Sequence, residues 1–328
     1  MPADGRERAS TTLITGSNGF LGRMLCGTLA QHGWHVVGVS RRPGYSSGIP
    51  GVHDICLSLN TAPDRWRKIM VSMGCVVHLA ARVHRLGESA GRGDDPYKVN
   101  VDGSRFVAEQ AALAGVKRFV FLSSIKVNGE GEIGRPYTAD DAPNPSDSYA
   151  QSKIDAENAL VEICRNAGME LVVVRPPLVY GPGVRANFER LLKLAALGLP
   201  LPLLAIDNRR SLISVWNLAS FIETTMRHPA AQKIWLVSDG EDLSTPELFA
   251  RLARLMGNEP RLFKFSPIWL KRIAAIIGFG AEAHRLCDSL QVDISPARAT
   301  LNWAPPMSVN EGLARTVEAY RATRPVTR

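Results

Sequence analysis

No stretch of this sequence is apolar for long enough to cross a bilayer. The segment Ile268 to Ile277 is interrupted by Lys271 and Arg272 and falls well short of the roughly 20 residues a spanning helix needs. It reads as a packed amphipathic helix, with peripheral contact at a membrane surface as the alternative. Residues Met1 to Arg8 are polar and run straight into the first strand; without an apolar signal region, a cytoplasmic location and no integral membrane segment are expected. Cysteine is scarce. Cys26, Cys56, Cys75, Cys164 and Cys287 are odd in number and scattered, with no Cys-x-x-Cys spacing, which argues against zinc or disulfide chemistry and predicts buried thiols and no metal. Repeats and low-complexity tracts are missing. The formal net charge is +8, yet the basic residues form no long run and no ladder with aromatics. Nucleic acid is therefore disfavoured, and an anionic small substrate or a cofactor phosphate accounts for the excess.

What is present suits an α/β protein. The chain has 328 residues, 45% hydrophobic and 21% charged, enough for one large domain and a smaller lobe. Short apolar runs at Thr11 to Thr15, His35 to Val39, Cys75 to Ala81, Arg118 to Ser123 and Glu170 to Arg175 suit parallel strands covered on both faces. Helical stretches lie at Phe20 to Gln31, Tyr97 to Ala114 and Tyr149 to Asn166, the last capped from Ser146 or Asp147. The pattern predicts a doubly wound parallel-sheet Rossmann fold over residues 1–180. Residues 181–328 are less regular, with short strand candidates at Ser211 to Val215 and Ile234 to Val237. They are assigned to a substrate-binding lobe, some of which returns to the sheet.

Two motifs carry chemistry. The turn Gly16-Ser17-Asn18-Gly19-Phe20-Leu21-Gly22 stands between a strand and a helix, where glycines let the backbone approach a pyrophosphate and the helix N-terminus offers it free N–H groups. An ordinary glycine loop is the bland alternative. Tyr149 and Lys153 are four apart, one helical turn above each other. A nearby ammonium favours phenolate, so the spacing predicts a tyrosine whose pKa is lowered towards neutrality and which can exchange a proton. A packed ring beside a solvated lysine would look the same in sequence.

The chain resembles the extended short-chain dehydrogenase/reductases that act on nucleotide sugars as epimerases, dehydratases and reductases. The likeness spans nearly the whole chain and rests on the glycine turn, His78-Leu79-Ala80-Ala81, Asn100-Val101-Asp102-Gly103, Ser123-Ser124, Tyr149 with Lys153, and Arg175-Pro176-Pro177-Leu178-Val179-Tyr180-Gly181-Pro182. It implies that Ser124 bonds the sugar oxygen at carbon 4, that Tyr149 is the acid/base and that Lys153 also holds the nicotinamide ribose. It further implies a cofactor site made by Gly16 to Gly22, Arg41, Arg42, Asp54, Ile55, Leu79, Ala80, Ala81, Ser123, Tyr149, Lys153 and Pro176, with Asp54 and Ile55 at adenine. Substrate contacts are implied for Ser124, Lys126, Asn187 and Arg210, the last on the nucleotide diphosphate; a solvated arginine and a helix-capping amide are the bland readings of Arg210 and Asn187. Related enzymes often dimerise through two helices of the nucleotide domain, so a homodimer is expected.

Departures from the family pattern narrow the reaction. Similar dehydratases carry an Asp-Glu pair where this chain has Ile125 and Lys126; neither can act as the carboxyl groups of 4,6-dehydration. After the second strand, where an acid would bond an NAD ribose, the chain reads Ser40-Arg41-Arg42, which favours NADP(H), with NAD(H) kept open. Similar epimerases generally have tyrosine where Asn128 stands. Around Phe121 to Glu130, Asp207 to Leu212 and Val237 to Thr245 the chain resembles bacterial 4-keto-reductases of O-antigen biosynthesis, thought to convert UDP-2-acetamido-2,6-dideoxy-4-hexulose to UDP-N-acetylquinovosamine. Reduction at carbon 4 is the first expectation. A UDP-glucose 4-epimerase-like activity is the alternative, and a noncatalytic dinucleotide sensor is disfavoured because serine, tyrosine and lysine are all present.

Overall fold

The computed structural model describes residues 10–41, 48–59, 61–82, 96–131 and 134–323. Numbered along the chain, the strands are β1 (Thr11–Thr15), β2 (His35–Ser40), β3 (Val52–Cys56), β4 (Cys75–His78), β5 (Arg118–Leu122), β6 (Glu170–Arg175), β7 (Leu178–Tyr180), β8 (Leu212–Ser214) and β9 (Ile234–Leu236). Seven form one sheet in the order β3-β2-β1-β4-β5-β6-β9, and β7 pairs with β8 separately. Every pairing between these strands is parallel. Strand order reverses between β1 and β4, which opens a crevice at the carboxyl ends of the strands where ligands of such sheets bind.

Both faces of the sheet are covered, which explains why its strands lack polar alternation. Leu13, Val76, Phe119, Phe121 and Val173 enter one core, and Ile14, Val77, Val120, Val172 and Val174 the other. The first is closed by α2 (Pro63–Met70), α3 (Pro96–Leu113) and α4 (Ser148–Ala167), the second by α1 (Phe20–Gln31) and α6 (Val215–Arg227). A further core gathers Tyr180, Phe188, Leu192, Leu248, Leu252 and Leu313 from β7, α5 (Ala186–Leu197), α7 (Thr245–Leu255) and α11 (Val309–Ala322). Ala297 and Leu301 of α10 (Ser295–Leu301) join the sheet core beside β9.

Local chemistry sets the helix that matters most. Asp147 caps α4 by accepting a hydrogen bond from the Ala150 N–H at 2.7 Å, and Gly168 ends it at φ 63°. Tyr149 therefore lies in the first turn and Lys153 one turn on.

Several elements differ from the sequence reading. β3 and α2 are not evident as apolar runs, because β3 is an edge strand without a single buried residue and α2 buries only Trp66 and Met70. The strand expected over Cys75 to Ala81 stops at His78, since the chain leaves the sheet there to meet the glycine turn. The helix expected over 268–277 forms as α8 (Pro267–Ile276); Leu270 packs half-buried on the third core, while none of its residues is fully buried. Its neighbour α9 (Gly280–Cys287) has eight residues and buries only Ala283. Cys26, Cys75 and Cys164 are buried as expected, whereas Cys56 is exposed.

Candidate active site

The glycine turn is built from the backbone outward. The Gly16 N–H donates to the Val39 carbonyl at 2.9 Å, and Gly16 adopts φ +72°. A Cβ on Gly16 would stand 3.0 Å from the Ala80 nitrogen, and one on Gly22 only 2.2 Å from the Gly16 carbonyl oxygen. The turn is thus pressed against Leu79 and Ala80 at the end of β4, with no room for side chains. α1 starts after Gly19 with no side-chain cap and no acidic residue in its first turn, so its first N–H groups and the positive end of its dipole face the crevice. Asn18 contributes its carbonyl to Arg23, Phe20 packs on the sheet core and Leu21 is buried in it. The Ser17 hydroxyl is buried and meets no hydrogen-bond partner among the described residues. A buried donor left over beside a glycine cradle fits a dinucleotide phosphate.

The residues expected at adenine lie across β2. A Cβ on Gly38 would fall 2.9 Å from Asp54 Oδ1 and 3.0 Å from Ser17 Cβ, so glycine there lets the two side chains approach. Burial raises the Asp54 pKa above the usual carboxylate value, against the opposing pull of His53. Ile55 follows, half-buried. Arg41 is exposed just past β2, whereas Arg42 lies outside the described residues.

Lys153 brings the helix that carries Tyr149 to the end of β5, two residues short of Ser124. Lys153 Nζ donates to the Leu122 carbonyl at 2.8 Å, sits 4.6 Å over the Phe121 ring and 5.9 Å from the centre of the Tyr149 ring. Two residues beyond Leu122, Ser124 Oγ accepts the Lys126 N–H at 3.3 Å, leaving its own proton to donate. The Ile125 N–H donates to the Pro176 carbonyl at 3.0 Å, so buried Pro176 walls the same corner.

Electrostatics correct one expectation. Burial pushes the Tyr149 phenol up to about 12, and Asp147 adds in the same direction; the lysine does not bring it towards neutrality. Lys153 itself falls from 10.5 to about 8 because burial penalises its charge more than Glu157 supports it. Desolvation outweighs the pair's attraction here, and at neutral pH Tyr149 holds its proton.

Behind this corner is a network that sequence reading missed. Glu157 accepts from Ser123 Oγ and forms a buried ion pair with Arg175, with Nη2 to Oε2 at 2.5 Å and Nε to Oε1 at 3.0 Å. Arg175 Nη1 donates to Asn128 Oδ1 at 3.0 Å, and Asn128 Nδ2 to the Thr138 carbonyl at 3.1 Å. Ser123 and Asn128 are therefore committed to the protein interior. Asn100, also buried, ties the residue after Ala81 to α4: its amide nitrogen donates to the Arg82 carbonyl and to Ser152 Oγ at 3.0 and 2.9 Å. An acid four residues after Lys153 was the signal available for Glu157; nothing local marked its partner.

The substrate candidates line a more open rim. Lys126 Nζ pairs with Glu130 and, at 2.6 Å, with Asp147. Arg285 reaches Glu130 at 3.3 Å from α9, and Arg210 donates to the Asp288 carbonyl at 2.7 Å. Asn187 is half-buried in the first turn of α5, directly after Ala186 at φ 56°, a conformation that costs a non-glycine residue about 1–3 kcal/mol. The rim thus assembles Lys126, Arg210 and Arg285, the charge an anionic substrate requires.

The chain is similar to known proteins over nearly its whole length. A sequence profile of the NAD dependent epimerase/dehydratase family matches residues 12–237. A UDP-glucose 4-epimerase of Vibrio cholerae is 38% identical over 96% of this chain and 97% of its own. A ceramide reductase of Caulobacter vibrioides is 30% identical over 94% of each chain. The solved UDP-glucose 4-epimerase of Thermotoga maritima, crystallised with UDP-glucose, shares the fold with a TM-score of 0.76 at 22% identity, over 95% of this chain and 99% of that one.

Proposed function

The chain belongs to the NAD-dependent epimerase/dehydratase family of extended short-chain dehydrogenase/reductases, and from that premise we propose that it reduces carbon 4 of a UDP-linked 4-keto-6-deoxy-N-acetylhexosamine with NADPH. The observation that carries this choice is the end of β2. Val39 accepts the N–H groups of Gly16 and Ser17 at 2.9 and 3.3 Å, so the residues that follow it stand beside the glycine turn. They are Ser40 and Arg41 rather than an acid, and a guanidinium matches a 2′-phosphate that a carboxylate would repel.

When bound, the nicotinamide supplies hydride to the carbonyl carbon. Tyr149 gives its proton to the carbonyl oxygen, so negative charge does not build up there. A phenol held protonated by burial suits that direction. Ser124 donates a hydrogen bond to the same oxygen, while Lys153, anchored on Leu122, restores polarity beside the phenolate left behind. Lys126, Arg210 and Asn187 bind the nucleotide part of the substrate. A homodimer through the outer faces of α3 and α4 belongs to the same proposal, supported by exposed Leu113 and Val161 there.

A 4-epimerase acting on UDP-hexoses is the second reading, favoured by the Vibrio cholerae relative. One experiment separates them. Purified protein is given the UDP-4-keto-6-deoxy sugar with NADPH, and in parallel UDP-glucose or UDP-N-acetylglucosamine without added cofactor. Stoichiometric loss of the reduced-nicotinamide absorbance is the expected result; interconversion of the hexoses with no net oxidation would replace the reductase by the epimerase.

A further inference from the structure

Among the described residues, the exposed large apolar side chains concentrate in one segment. Of the large hydrophobic side chains that stand open to solvent, seven fall between residues 263 and 279: Phe263, Ile268, Trp269, Ile273, Ile276, Ile277 and Phe279. Ile276 is 85% exposed and Ile268 64%, on a helix held to the protein through half-buried residues such as Leu270 and with none fully buried. A contiguous apolar face of this kind marks an interaction surface. Its charge says which. From Pro260 to Ala281 the sequence has no Asp or Glu, and it carries Arg261, Lys264, Lys271 and Arg272. Lys271 is spent on Asp288 at 2.5 Å, but Arg261, Lys264 and Arg272 are exposed, and the Arg272 guanidinium lies 5.2 Å from the Trp269 ring centre.

We propose that α8 and the residues flanking it, Phe263 to Phe279, dock on the surface of a bilayer containing anionic lipid. The apolar side chains enter the boundary between headgroups and acyl chains, Trp269 sits at the interface, and Arg261, Lys264 and Arg272 pair with lipid phosphate. No helix among the described residues is long and apolar enough to cross a membrane, so the contact is peripheral. A second copy is a poor occupant: symmetric pairing through this face would set an acid-free, basic segment against itself. The docking face is joined to the catalytic rim, because α9 packs against α8, with Ala275 3.3 Å from the position of a Cβ on Gly280, and carries Arg285 to Glu130.

The test is co-sedimentation of the full chain with vesicles of phosphatidylcholine alone and of phosphatidylcholine with phosphatidylglycerol. Expected is binding at least about tenfold stronger to the anionic vesicles, reduced about tenfold or more in Ile273→Glu/Ile276→Glu and in Lys264→Glu/Arg272→Glu, with turnover of a water-soluble nucleotide sugar unchanged in both variants. Trp269→Phe keeps most of the binding and removes a vesicle-induced blue shift of fluorescence. No binding to anionic vesicles overturns the proposal. So does binding that survives Ile273→Glu/Ile276→Glu, which would be surface attraction without insertion. A concentration-dependent dimer dissolved by that variant, in place of vesicle binding, would assign the face to a second copy instead.

Discussion

Two carboxylates hold cations for this site, and they do so differently. Glu157, with a side chain 4% exposed, grips Arg175 and Ser123 in the interior; Glu130, 26% exposed, shares Lys126 and Arg285 at the rim. The inner pair is fixed by several hydrogen bonds in low dielectric and sets the shape of the corner holding Ser124, Tyr149 and Lys153. The outer carboxylate is shared between two cations in partly screened surroundings. The interior builds geometry, and the rim supplies charge.

This contrast makes its strongest demand on Glu157. Glu157→Ala leaves Arg175 charged and unpaired in the core, and should cost about 3–5 kcal/mol in denaturant unfolding; a loss under about 1 kcal/mol would mean the pair is not the frame of the corner. Lys153 is a smaller and opposite case. Its folded pKa of about 8 lies below its ordinary 10.5, so the penalty for burying its charge is complete below pH 8 and fades as pH rises towards the unfolded value. Lys153→Met should therefore gain on the order of 1 kcal/mol at neutral pH, after subtracting the lost bond to Leu122 and the contact with Phe121, while losing activity. The gain should shrink between pH 8 and 10 in paired urea titrations. Glu130→Gln is the mildest: stability shifts by less than about 1 kcal/mol, and the chief effect is a few-fold change in KM as Lys126 and Arg285 are released.

How much of this could be read from the sequence follows the same division. The sheet strands and α1 were legible because a doubly covered parallel sheet writes itself as apolar runs punctuated by glycine, and α1 spans Phe20–Gln31 as its pattern predicts. Asp147, one of the two cap candidates, marks the start of α4 as clearly. Elements at the edge were not legible: β3 has no buried residue and α2 has two, so neither generates a pattern. The consecutive motifs Gly16 to Gly22 and Ser123-Ser124 could be located by position alone, although Ser123, expected at the cofactor, turns inward to Glu157. Long-range partners could not, since Glu157 meets Arg175 and Arg285 meets Glu130 only through the fold. The Tyr149 pKa was misjudged for a related reason. Helical spacing reports that a lysine is near, and it is silent about desolvation, which depends on the whole corner.

The most direct measurement is Tyr149→Phe, assayed for NADPH binding by fluorescence and for single-turnover reduction of the 4-keto sugar. Binding should be retained within about a few-fold, and hydride transfer should slow by at least about two orders of magnitude once the proton donor is gone. A variant that binds NADPH and still reduces the sugar at the parental rate would contradict the assignment of Tyr149, and with it the chemistry assigned to Ser124 and Lys153.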